Sequence, residues 1–189
     1  MTKSILLVGV GGQGTILASK LLTLGLMEAG YDVKMSEIHG MSQRGGSVSS
    51  QVRYGDKVSS PVIEKGGADI LVAFEKMEAL RWLEYLKPTG RVVVNTFEIK
   101  PMPVLAGKET YARDIVDQLQ RKAETVVIDA AKLAEELGNA KVMNIILLGA
   151  IVKAMGLTGI NWDALLEKNI KPNFIELNKQ ALKLGIALV

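Results

Sequence analysis

The 189-residue chain contains no cysteine and a single histidine, and these two shortages exclude whole classes of chemistry. Without thiolates the chain alone cannot hold an iron–sulfur cluster, and a structural zinc needs about four Cys or His ligands. A cysteine nucleophile is excluded, and a Ser–His–acid triad is restricted to His39. Any redox or metal chemistry therefore falls to another chain. Aromatic residues make up 5% of the sequence, and its 23 basic and 20 acidic residues form no basic block. Stacking platforms and an electrostatic footprint for nucleic acid are both missing. No apolar run approaches the ~20 residues of a membrane span; the best, residues 142–155, carries Asn144 and Lys153. No basic, apolar and small-residue segments stand in series before the first strand, so a cytoplasmic chain is expected.

The 48% hydrophobic content suits a sizeable core in one domain over residues 1–189. That core is organised around Ile5-Leu6-Leu7-Val8-Gly9-Val10-Gly11-Gly12-Gln13-Gly14. A short β-branched apolar run enters a glycine-rich turn, and Ile16, Leu17, Ala18, Leu21, Leu22 and Leu24 follow at helical spacing. Gly9, Gly11 and Gly14 fit G-x-G-x-x-G, in which glycines permit a tight turn and close approach of an anion to backbone N–H groups. A helix N-terminus adds free donors and a positive dipole end. Two readings fit: a site for an anion such as phosphate, with Gly12 and Gln13 beside the three glycines, or a turn that is merely tight.

Residues 31–35 alternate as a second strand, and Glu37 is the acidic residue placed to hold a ribose if the turn binds a dinucleotide. Residues 36–47 read as a second glycine-rich loop. Ser42, Gln43, Arg44 and Gly45 give it a cation flanked by glycines and hydroxyls, in a stretch from 38 to 54 without a carboxylate. It reads as a second anion contact or as a solvated loop whose arginine pairs elsewhere. His39 is open as an acid–base group, an interface residue or a loop residue.

Residues 47–54 alternate small or apolar with polar side chains and read as an exposed antiparallel strand, because the link from the second strand is too short for a helical crossover. Strands are expected over 68–74, 91–95 and 125–129, with helices over 75–86, 111–121 and 130–137 and an irregular or hairpin excursion over 97–108. From there the chain is helical. Asn144 interrupts an apolar helix, and the strand end at Asp129 is the expected partner for its amide. The expected fold is α/β: a three-layer Rossmann-like, mostly parallel sheet with an antiparallel strand and a helical C-terminal end.

Taken together, Gly9-Val10-Gly11-Gly12-Gln13-Gly14 with residues 18–22, Ser42-Gln43-Arg44-Gly45-Gly46-Ser47-Val48, and residues 144–150 resemble the gamma-type subunit of 2-oxoacid:ferredoxin oxidoreductases over essentially the full length. Within that family, residues 36–46 are most similar to the beta subunits of indolepyruvate ferredoxin oxidoreductases. The resemblance implies a small subunit of an enzyme that oxidatively decarboxylates aryl 2-oxoacids to acyl-CoA and passes electrons to ferredoxin. It implies a larger partner subunit carrying thiamine diphosphate and the iron–sulfur clusters, with coenzyme A as cosubstrate and no cofactor held by this chain alone. The glycine turn and the Arg44 loop are then the expected contacts to a phosphate of CoA or of the thiamine cofactor.

Other readings stand beside it: a gamma subunit acting on pyruvate or branched-chain 2-oxoacids, a purely structural subunit, and a stand-alone NAD-dependent dehydrogenase. The last has the fingerprint and Glu37 in its favour, but it lacks an evident catalytic pair and the length for a separate substrate domain.

Overall fold

A computed structural model of the chain describes residues 1–40 and 46–189. Among them, β1 (Lys3–Val10), β2 (Asp32–His39), β3 (Ser47–Gly55), β4 (Ala68–Ala73), β5 (Leu86–Asn95) and β6 (Glu124–Ile128) form one sheet in the order β2-β3-β1-β4-β5-β6. Neighbours from β1 to β6 run parallel, and β3 is antiparallel to both β1 and β2. The helices are α1 (Thr15–Glu28), α2 (Lys76–Arg81), α3 (Met102–Leu105), α4 (Ile115–Lys122), α5 (Ala130–Glu136), α6 (Met143–Ala154), α7 (Trp162–Asn169) and α8 (Ile175–Ala187). The mostly parallel sheet, its one reversed strand and the helical end agree with the expected fold class. Among the described residues, no helix is long and apolar enough to cross a membrane.

Strand alternation sorts the core into two layers. Ile5, Leu7, Ile70, Val72 and Val93 point to the face covered by α1, α5, α6, α7 and α8. Leu6, Val8, Leu71, Ala73, Val92 and Val94 point to the other face, under α2 and α4. Helix α6 is buried from Met143 to Val152 and crosses α8 with the two backbones in contact. Gly149 and Gly185 make that crossing possible, since a Cβ on Gly185 would overlap the Ile146 carbonyl.

Local expectations fail where tertiary pairing decides. Residues 36–39, read as loop, belong to β2, because the ladder with β3 continues to the pair His39–Val48. Strand β3 is buried rather than exposed, since it lies between β1 and β2. Its Gln51 accepts the Ile63 N–H at 2.6 Å and its Arg53 donates to the Ser60 and Val62 carbonyls, which fastens the 56–67 loop over one face. The helix expected over 75–86 is shorter: α2 stops at Arg81, a 3-10 turn follows at Leu83–Tyr85, and β5 starts at Leu86. The excursion over 97–108 contains the single turn α3, and α4 begins at Ile115 rather than 111.

Candidate functional site

After β1 the chain crosses to one face as α1, and after β4 it crosses to the other as α2. The adjacent carboxyl ends of β1 and β4 therefore form a topological switch point, where open α/β sheets leave a crevice. The glycine turn sits on it. Gly12 and Gly14 have φ of 100° and 79°, left-handed values that side chains with a Cβ rarely adopt. Gly9 is small for a different reason: a Cβ there would stand 2.8 Å from Gln13 Oε1 and 3.0 Å from Phe74 Cβ.

Gln13 folds beneath the turn. Its Oε1 accepts the Val10 N–H at 2.8 Å and its Nε2 donates to the Phe74 carbonyl at 2.9 Å, tying the end of β1 to the residue after β4. Gly14 is the N-cap of α1, without a side-chain cap. The first bond back along the helix runs from the Ala18 N–H to the Gly14 carbonyl at 3.2 Å. The N–H groups of Thr15, Ile16 and Leu17 thus have no intrahelical acceptor, and no acidic residue occupies that first turn.

A cleft of about 600 Å³ opens over these donors, lined by Gly11, Gly12, Gly14, Thr15, Ile16, His39, Gly40 and Val48. The structure therefore gathers three of the turn glycines and His39 around one cleft, and places Gly9 and Gln13 under its floor. No carboxylate lines it among the described residues. Ser42, Gln43, Arg44 and Gly45 lie outside the described residues. The chain on either side is pinned to the rim: the Gly11 N–H donates to the Gly46 carbonyl at 2.9 Å, and the Gly40 N–H to the Ser47 carbonyl at 3.2 Å.

The dinucleotide geometry is not reproduced. In a ribose-binding βαβ unit the second strand lies beside the first, whereas here β3 separates β2 from β1. Glu37 accepts a hydrogen bond from Ser19 Oγ at 2.8 Å. Asn144 also departs from expectation: its Nδ2 donates to the Gly14 carbonyl at 3.3 Å, instead of reaching the end of β6.

Sequence reasoning missed a second polar group on this edge. Glu75, 1% exposed, stands two residues past the end of β4 and caps α2, its Oε2 accepting the Glu78 N–H at 3.0 Å. Its Oε1 accepts from the Ile99 N–H at 3.2 Å and from the Tyr111 hydroxyl. Burial first, and then that carboxyl, push the Tyr111 hydroxyl well above the usual phenol range. Glu78, also buried, accepts from Ser47 Oγ at 2.5 Å and pairs with Arg81 at 3.3 Å. Asn95 completes the edge, donating to the Phe74 carbonyl at 3.0 Å while its Oδ1 accepts the Ala130 N–H at 3.0 Å. The available signal was positional: Glu75 and Asn95 each stand where an apolar strand run ends.

The donor set limits what the chain can hold. It has no thiolate for a cluster, and no group of three or more His, Cys, Asp or Glu side chains forms a metal site among the described residues. The uncapped turn and its cleft suit the phosphate of a larger ligand instead.

Comparison with known proteins agrees with this architecture. The chain is 37% identical over 191 residues to the indolepyruvate oxidoreductase subunit IorB of Pyrococcus horikoshii, covering 97% of this chain and 94% of that one. It is 36% identical over 190 residues to the IorB of Archaeoglobus fulgidus, with 98% and 94% covered. Relatives named as a 2-oxoglutarate synthase subunit and as a pyruvate/ketoisovalerate oxidoreductase subunit gamma stand lower, at 28% and 27%. Among solved structures, the pyruvate oxidoreductase subunit PORC of Thermotoga maritima superposes with a TM-score of 0.72 at 26% identity, over 98% of this chain and 96% of that one. The family model described as pyruvate ferredoxin/flavodoxin oxidoreductase matches residues 4–188, and the chain belongs to that family.

Proposed function

We propose that this chain is the small, single-domain subunit of a cytoplasmic indolepyruvate:ferredoxin oxidoreductase. The observation that carries the reading is the near full-length identity to IorB subunits, 37% and 36%, against 27–28% to relatives named for other 2-oxoacids. The complex oxidatively decarboxylates an aryl 2-oxoacid and transfers the acyl group to coenzyme A, and ferredoxin takes the electrons. Thiamine diphosphate and the iron–sulfur clusters reside on a larger partner subunit, which supplies the carbanion and redox chemistry that this chain's donor set cannot.

The chain's own contribution is a phosphate-binding wall. The N–H groups of Gly12, Gly14, Thr15 and Ile16, which have no acceptor among the described residues, receive a phosphate of coenzyme A or of the thiamine cofactor, and Ser42, Gln43, Arg44 and Gly45 belong to the same contact. His39, which also lines the cleft, serves as a contact to the ligand rather than as a nucleophile's base, since among the described residues no carboxylate lines the cleft to complete a triad with it. The same geometry serves a gamma subunit for pyruvate or branched-chain acids, so substrate choice rests on the partner.

The test is a substrate comparison on the purified complex. Ferredoxin reduction with indolepyruvate is expected to exceed that with pyruvate, 2-oxoglutarate and branched-chain 2-oxoacids in kcat/KM. Preference for pyruvate would move the chain to the gamma subunits of pyruvate enzymes.

A further inference from the structure

Asn144 is a polar residue in the first turn of α6, a helix otherwise apolar from Met143 to Val152, and it is only 5% exposed. A leucine would suit that pattern better, because a buried amide must find partners and α6 offers none in its own apolar surface. Its one donor bond among the described residues goes to the Gly14 carbonyl, the N-cap of α1, across 130 residues of sequence. Gly14 leaves no room for anything else there: a Cβ on it would collide with the Asn144 amide.

This contact has a geometric consequence. The Gly14 carbonyl and the Thr15 N–H belong to one trans peptide plane and point in opposite directions. Fixing the carbonyl inward, along the axis of α1, fixes the Thr15 N–H outward toward the cleft. An ordinary Ser or Asp N-cap would steady this turn with its own side chain, but that side chain would occupy the N–H groups an anion needs. Gly14 has no side chain and samples many conformations when free. We infer that Asn144 is a positioning residue that holds the Gly14–Thr15 peptide from behind, and so presents the α1 N–H groups to an anion without competing for them. The inference rests on the reading of the glycine turn as a phosphate site.

Amide-resolved NMR of the full chain, titrated with inorganic pyrophosphate, tests it. In the wild-type protein the Gly12, Gly14, Thr15 and Ile16 amides are expected to shift, and the Asn144 side-chain amide to move on the same isotherm. Asn144→Leu and Asn144→Ala are expected to weaken binding about three- to tenfold, the worth of one hydrogen bond. Their melting temperature stays close to wild type, because the Gly14 carbonyl keeps its bond from Ala18. A purely structural asparagine would lower stability and leave affinity alone.

Wild-type binding with unchanged affinity in a folded variant overturns the role of Asn144 and leaves the anion site standing. Turn amides that do not move in the wild type overturn both. Should neither variant fold, the wild-type Asn144 side-chain resonances decide: movement with the turn amides supports the inference, and stillness while they move overturns it.

Discussion

The side-chain amides of Gln13 and Asn95 converge on one acceptor, the Phe74 carbonyl, at 2.9 and 3.0 Å. With Gln13 Oε1 on the Val10 N–H and Asn95 Oδ1 on the Ala130 N–H, they lace together the carboxyl ends of β1, β4 and β5 and the start of α5. All four bonds are buried. Asn95→Ala orphans the Ala130 N–H and is expected to cost about 1–3 kcal/mol in urea unfolding. Gln13→Glu turns the Phe74 contact into two facing acceptors and is expected to cost more than Gln13→Ala. Equal losses for the two Gln13 variants would show that the Phe74 bond does not matter.

At the amino-terminal ends of β1, β4 and β5, Asp69 sets an acid limit on stability. Burial raises its pKa, but the bond from Lys87 Nζ at 2.8 Å, the Ser4 N–H at 2.8 Å and the nearby Lys3 outweigh it, so the carboxyl titrates below its ordinary value. A depressed folded-state pKa gives stability that is complete above the unfolded value of about 3.9 and is lost as pH falls through the folded one. Urea midpoints between about pH 2 and pH 6 are therefore expected to fall on the acid side, and Asp69→Asn to flatten that fall. An identical acid profile in Asp69→Asn would assign the fall to other carboxylates.

The α6–α8 crossing is expected to tolerate no added methyl group. A Cβ on Gly185 overlaps the Ile146 carbonyl and one on Gly149 overlaps the Leu182 carbonyl, both backbone atoms that cannot rotate away. Gly185→Ala is expected to cost about 1–3 kcal/mol or more by thermal or urea unfolding. Gly159→Ala, with open space around its Cβ, is the control and should stay within about 0.5 kcal/mol of wild type.

Glu75 holds the 97–111 excursion to the sheet through the Ile99 N–H and the Tyr111 hydroxyl. Glu75→Leu removes both acceptors along with the cap of α2, so hydrogen exchange at Ile99 and Glu78 is expected to accelerate together. Tyr111→Phe leaves the cap intact, and exchange at Glu78 should be unchanged. Acceleration at Glu78 in Tyr111→Phe would mean the excursion and α2 open as one unit.

What could be read from the sequence was what is encoded locally. The strand-turn-helix of residues 5–24 follows from apolar spacing and glycines a few residues apart. Strand β3 misleads because serines at 47, 49 and 50 look solvated, although strands on both sides and the 56–67 loop bury it. The reach of β2 to His39 comes from its ladder with β3, a pairing that its own composition does not announce. In the candidate site, the glycines and His39 carried local signals. Asn144 and Glu75 stand out locally only as polar residues within or at the end of apolar runs, and their partners, Gly14 and Tyr111, are distant in sequence. Assigning a polar residue is easy; knowing which carbonyl it meets requires the fold.

On the proposed function, this chain works only beside a larger subunit that carries the cofactors. The most direct measurement is anaerobic affinity purification of the tagged chain from its host, with mass identification and an absorption spectrum of whatever accompanies it. A large, brown partner containing thiamine diphosphate, in fixed stoichiometry with this chain, is the expected result. A colourless chain that emerges alone and binds NAD would contradict it.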